Sequence, residues 1–167
     1  MKTCYVSTTF GKKQTSAGQM VDFNHIYFDV VKPAVESTGL QCMRGDELKT
    51  GDLILKSVFN AVLNSDIMIA DLTIHNANVL YELGIRHTAR RGLTILLSDV
   101  QYKLPYDLGH TMVQSYELDS IGKLSGNAAE ELRTKITKAI GNGKTEENTS
   151  PLYEFFPDLN VALPIQS

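Results

Sequence analysis

Short runs of β-branched and aliphatic residues alternate along this chain with longer stretches in which apolar residues recur every three or four positions. The short runs read as strands and the long ones as helices, and their alternation reads as parallel strands joined by crossover helices. Residues 4–10 predict a first strand, followed by a polar, glycine-containing loop (GKKQTSAGQ) and a helix over 23–37 that puts Ile26, Val30 and Ala34 on one face. Residues 40–44 predict a second strand, and the polar turn GDELKTGD leads into a helix carrying Ile54, Val58 and Val62. The run DIMIADL, 66–72, is almost continuously apolar, as a strand buried on both faces must be, and is therefore placed at the centre of the sheet. A helix over 76–90, strands over 93–98 and 112–118, and a helix over 128–140 complete the pattern. The expectation is a flavodoxin-like, doubly wound α/β domain over 1–142. Its five-stranded, mainly parallel sheet has helices on both faces. Residues 143–167 read as a linker (GNGKTEENTSP) and a tail whose aromatics Tyr153, Phe155 and Phe156 either pack on their own subunit or contact another.

Composition narrows the functional classes. A chain of 167 residues with 43% hydrophobic content is the size of one domain. Sixteen basic against 19 acidic residues, a net charge of -3, do not make the clustered positive surface that gripping a nucleic-acid polymer requires. No segment approaches the ~20 apolar residues of a membrane span, and the opening MKTCYVSTTF lacks the apolar stretch of a secretory signal, so the expectation is a cytoplasmic protein. Cys4 and Cys42 fall in apolar runs without metal-ligand spacing and read as buried free thiols; neither a metal nor a cofactor is expected.

In a doubly wound sheet the loops after the strands' carboxyl ends converge on one crevice. Here they are polar, and the richest is DLTIHNANVLYELGIRH. Asp71 closes the central strand, and Asn78, Glu82 and Arg86, four apart, share one helix face. Glu82 reads either as a carboxylate held in a partly dry pocket with a raised pKa, or as a solvated partner of Arg86. His75 and His87 flank the helix as possible acid–base groups, and Asn76 is either a ligand contact or an ordinary N-cap. Arg44 is positioned to grip a phosphate or carboxylate, with an ion pair to Asp46 or Glu47 as the alternative. Neither GxGxxG nor GxxxxGK[ST] occurs, which disfavours dinucleotide binding of the Rossmann kind and P-loop chemistry.

The blocks CYVSTTFGKK, NHIYFDVVKPAVESTGLQCMRGDE, SDIMIADLTIHNANVLYELGIRHTARRG and LPYDL, spread over about residues 4–117, resemble in order a bacterial family of TIR-like, nucleoside 2-deoxyribosyltransferase-like domains. That resemblance implies cleavage or exchange of an N-glycosidic bond in NAD, a nucleoside or a nucleotide. Glu82 would be the catalytic carboxylate, and Asp71 would hold the ribose or orient Glu82. It also implies that Phe10 and Gly11 line the base or sugar pocket and that the protein is a homo-oligomer; Arg44, Asp46, His75, Asn76, Asn78 and Tyr81 complete the candidate substrate contacts. The chain departs from the deoxyribosyltransferase pattern at Asn76, where an aspartate is usual, and from the TIR pattern in having no tryptophan. Two functions therefore stand side by side: an N-glycoside hydrolase, and a non-catalytic module that senses a nucleotide or associates with copies of itself.

Overall fold

The computed structural model describes residues 1–48, 54–108, 113–143 and 150–163. Five strands, β1 (Thr3–Ser7), β4 (Gln41–Arg44), β5 (Ile67–Asp71), β6 (Thr94–Asp99) and β7 (Val113–Tyr116), form one sheet in the order β4-β1-β5-β6-β7, every neighbouring pair parallel. This is the flavodoxin-like order, in which the chain reverses direction of winding beside β1. Every residue of β5 and β6 is buried, as expected of strands covered on both faces.

Strand alternation sorts the core into two layers. Cys4, Val6, Cys42, Ile69 and Leu97 point to one face. There they meet a helical segment made of α1 (Phe23–His25), a π-helical stretch (Ile26–Val31) and α2 (Lys32–Glu36), together with α5 (Gly126–Asn142). Tyr5, Met68, Ala70 and Leu96 point to the other, against Ala61 and Val62 of α3 (Ile54–Asn64) and Val79 and Leu83 of α4 (Ala77–Ala89). Cys4 and Cys42 are buried, free, and directly opposite each other in register.

Three details differ from the sequence expectation. The first strand ends at Ser7, not at residue 10, and the loop GKKQTSAGQ holds β2 (Lys12–Gln14), which pairs antiparallel with β3 (Met20–Asp22) just after it. The helix over 23–37 contains a π-helical centre, where the amide of Lys32 reaches back to Tyr27. The tail carries a short helix, α6 (Pro151–Phe155), absent from the reading. Tyr153 packs on its own subunit and donates to the Thr88 carbonyl at 2.6 Å, while Phe155 and Phe156 stay exposed. Met112, which opens the expected fifth strand, the second half of the turn GDELKTGD and most of the GNGKTEENTSP linker lie outside the described residues. Among the described residues no helix is long and apolar enough to cross a membrane.

Candidate functional site

Alternation along β1 decides which side chains meet Glu82. Tyr5 and Ser7 face the α3/α4 layer, and α4 lays Glu82 against them at the carboxyl end of the strand. Ser7 Oγ donates to Glu82 Oε2 at 2.5 Å, and Tyr5 Oη donates to the same oxygen at 3.1 Å. Both donors come from a rigid central strand, so the carboxylate is fixed on one side. Oε1 has no hydrogen-bond partner among the described residues. Burial raises the pKa of Glu82, and the bonds from Ser7 and Tyr5 oppose that rise.

The neighbours on the helix behave differently. Asn78 is exposed at the first turn, and Arg86 is wholly buried and turned away from Glu82. Its guanidinium donates to the carbonyls of Val62, Ser65, Asp66 and Leu93, so the ion pair of Arg86 with Glu82 does not form. Tyr81 projects to the outside of α4, 63% exposed, with its ring edge-on to Phe59 at 6.1 Å.

Asn76 is the N-cap of α4: its Oδ1 accepts from the Asn78 amide at 3.0 Å. Its Nδ2 donates to Thr9 Oγ1 at 3.0 Å, stitching the loop after β5 to the loop after β1. His75 is exposed and stacks edge-on against Tyr102 at 4.9 Å. His87 is buried on α4, and desolvation with the nearby Arg86 charge lowers its pKa to about 4, so at neutral pH it is uncharged.

Asp71 is buried at the end of β5 and is engaged within the fold. It accepts from the Thr73 amide at 3.0 Å and from Tyr116 Oη at 3.0 Å, and burial raises its pKa. No hydrogen bond joins it to Glu82 among the described residues, so any orienting effect on Glu82 runs through the backbone of the β5–α4 loop.

Arg44 belongs to the opposite face. It shares its parity on β4 with Cys42 and therefore points to the α1/α2 layer, where it is 1% exposed. Its Nε and Nη2 clasp Asp46 at 2.7 and 2.6 Å, the ion-pair alternative of the sequence reading. This bond lowers the pKa of Asp46. Nη1 donates to Asn24 Oδ1 at 2.9 Å, which also accepts from the Gly11 amide at 3.1 Å. The guanidinium lies 4.9, 4.4 and 4.9 Å from the rings of Phe10, Tyr27 and Phe28. The π-helical stretch supplies the last two rings.

Among the anticipated residues, Glu82 thus lies on one face of the sheet, and Arg44 lies on the other with Asp46, Phe10 and Gly11 around it. They meet at the carboxyl edge at Gly45, where a Cβ would stand 3.4 Å from Tyr5 Oη and 3.5 Å from Phe10 Cζ. Sequence reasoning missed Tyr5, Ser7, Asn24, Tyr27 and Phe28. Strand parity would have found the first two, because a strand whose Cys4 and Val6 face one helix layer must aim Tyr5 and Ser7 at the other.

Two concavities lie away from this edge. One, of about 520 Å³, runs along the outside of α4 past Leu80, Tyr81, Gly84 and Ile85. The other, of about 560 Å³, lies at the amino edge of the sheet between Arg86, Arg90, Arg91 and the tail. Among the described residues no group of three or more His, Cys, Asp or Glu side chains stands close enough to hold a metal ion. A scan of the chain against protein-family models finds no match, and a search of curated proteins finds none either.

Proposed function

We propose that the chain cleaves an N-glycosidic bond of a nucleotide, with Glu82 as the reacting or stabilising carboxylate and a nicotinamide nucleotide such as NAD as the leading substrate. The observation that carries this reading is the asymmetry of the carboxylate. Two hydroxyl donors from β1 hold Oε2, and Oε1 has no partner among the described residues at the carboxyl edge of a doubly wound sheet, where such folds bind ligands.

The chemistry suits such a group. As the bond from the anomeric carbon to the base breaks, its electron pair leaves with the base nitrogen and positive charge spreads over the ribose C1′ and ring oxygen. A fixed carboxylate stabilises that charge or closes on C1′ to form a glycosyl ester, which water then opens, releasing a proton. Nicotinamide bound as a pyridinium leaves as a neutral molecule and needs no general acid. That favours it here, because Asp71 is engaged with Thr73 and Tyr116, and Asn76 is a helix cap.

Incubation of the protein with NAD and a panel of nucleotides, followed by chromatography, should yield free base. Glu82→Gln should lower the rate by ~100-fold or more while the fold persists. Turnover at the wild-type rate in that variant would reject the role. The reaction requires the carboxylate form, so activity should fall as pH drops through the raised pKa of Glu82, with the acid limb above that of an ordinary glutamate.

A second reading, a nucleotide-sensing or self-associating module without turnover, draws support from the same absence of a free second acid beside Glu82 among the described residues. It requires a thermal shift with a nucleotide and no product from any substrate.

A further inference from the structure

The cavity of about 560 Å³ at the amino edge lies at the far end of the strands from Glu82. Asp66 and Gly92, the residues just before β5 and before the start of β6, border it. Three arginines, Arg86, Arg90 and Arg91, are among its lining residues. None makes an ion pair among the described residues; every hydrogen-bond acceptor they use is a neutral carbonyl.

Their donors are only partly used. Arg90 donates through Nε to the Leu63 carbonyl at 2.6 Å, and its two terminal nitrogens have no partner among the described residues. Arg91 donates through Nη2 to the carbonyls of Pro157 and Leu159, leaving Nε and Nη1. Its guanidinium plane is steadied by the Tyr153 ring, 4.3 Å away. The one carboxylate on the lining, Asp66, accepts from the Thr3 amide at 2.8 Å. In a chain of net charge -3, this concentration of unpaired positive charge is local.

We propose that this cavity binds a small molecule carrying a phosphate monoester on an apolar or aromatic body. A phosphate can accept from the end-on fork of Arg90 and from the remaining donors of Arg91, and a dianion balances two cations where a carboxylate balances only one. The space exceeds what bare phosphate fills and lies within the ~300–1,000 Å³ of small-molecule sites. Leu159 and Val161 of the tail supply its apolar wall. The site is independent of the chemistry assigned to Glu82.

Phenyl phosphate is the probe, titrated by calorimetry into the intact protein, with benzoate and inorganic phosphate in parallel. Phenyl phosphate should bind at least 10-fold tighter than either. Arg90→Gln and Arg91→Gln should each weaken it at least 10-fold, and Glu82→Gln should leave it unchanged. In the wild-type protein, which needs no variant to fold, NMR resonances of the Tyr153 ring and the Asn160 side-chain amide should shift on addition. The proposal is overturned if phenyl phosphate produces neither heat nor shifts, if inorganic phosphate binds equally well, or if the arginine variants retain wild-type affinity.

Discussion

Glu82 and Arg86 stand one turn apart on α4 and meet burial in opposite ways. The buried arginine donates to four backbone carbonyls where α3, β5 and β6 begin or end, those of Val62, Ser65, Asp66 and Leu93, the last of which also accepts from the Met68 amide. Lysine offers three donors from a single point and cannot reproduce that planar fork. Arg86→Lys should therefore cost about 3 kcal/mol in urea denaturation, the scale of leaving one or two buried carbonyls unpaired. The glutamate is half-buried with two hydroxyl donors and, among the described residues, no paired cation. Its raised pKa means the folded state binds a proton more readily than the unfolded chain does, so ionisation at neutral pH works against the fold. Glu82→Gln should melt above the wild type at pH 7, and the gap should close as pH falls below the unfolded carboxyl range. A lower melting temperature at pH 7 would count against a desolvated carboxylate. The spacing of Asn78, Glu82 and Arg86 was legible as one helix face, but periodicity gives no depth along a face. Asn78 lies at the exposed first turn and Arg86 beneath the neighbouring strands, and only the docked sheet distinguishes them.

Among the elements, the β2–β3 hairpin and α6 escaped the reading for different reasons. The hairpin has no apolar face to betray it: all three residues of β2 are exposed, and only Val21 of β3 is buried. It is held instead by contacts distant in sequence. Gln19 Nε2 donates to the Asp119 carbonyl at 2.6 Å, and Gly122, at φ +76, is so close that a Cβ would lie 1.9 Å from the Met20 carbonyl oxygen. Gly122→Ala combines a left-handed backbone with a backbone collision. It should cost more than ~1 kcal/mol and speed amide exchange in β2 and β3 before the main sheet. The helix α6 did leave a signal, because Ser150-Pro151 places a capping residue before proline at the first helical position. The parallel strands were readable because burial on both faces leaves uninterrupted apolar runs, as in β5 and β6.

For the whole molecule, acid stability turns on a histidine far from solvent. His87 has its pKa lowered to about 4 by burial and by Arg86, whereas an unfolded chain takes up that proton near pH 6.5. Stability from this group is complete above the unfolded value and is lost as pH falls toward 4. The loss amounts to as much as about 3 kcal/mol. Asp71 and Glu82, with raised pKa values, act in the other direction over the acid range, so the comparison must be between variants. Denaturation midpoints of the wild type should fall between pH 7 and 4 more steeply than those of His87→Gln. Equal slopes would show that the imidazole takes up its proton without strain in the fold.

The turn following the opening strand is tied to three separate parts of the molecule: Thr9 to Asn76, the Gly11 amide to Asn24, and Gln19 to Asp119. Backbone freedom at that rim is therefore surrendered when the chain folds. A guest arriving there spends little of its contact energy on freezing the wall it touches.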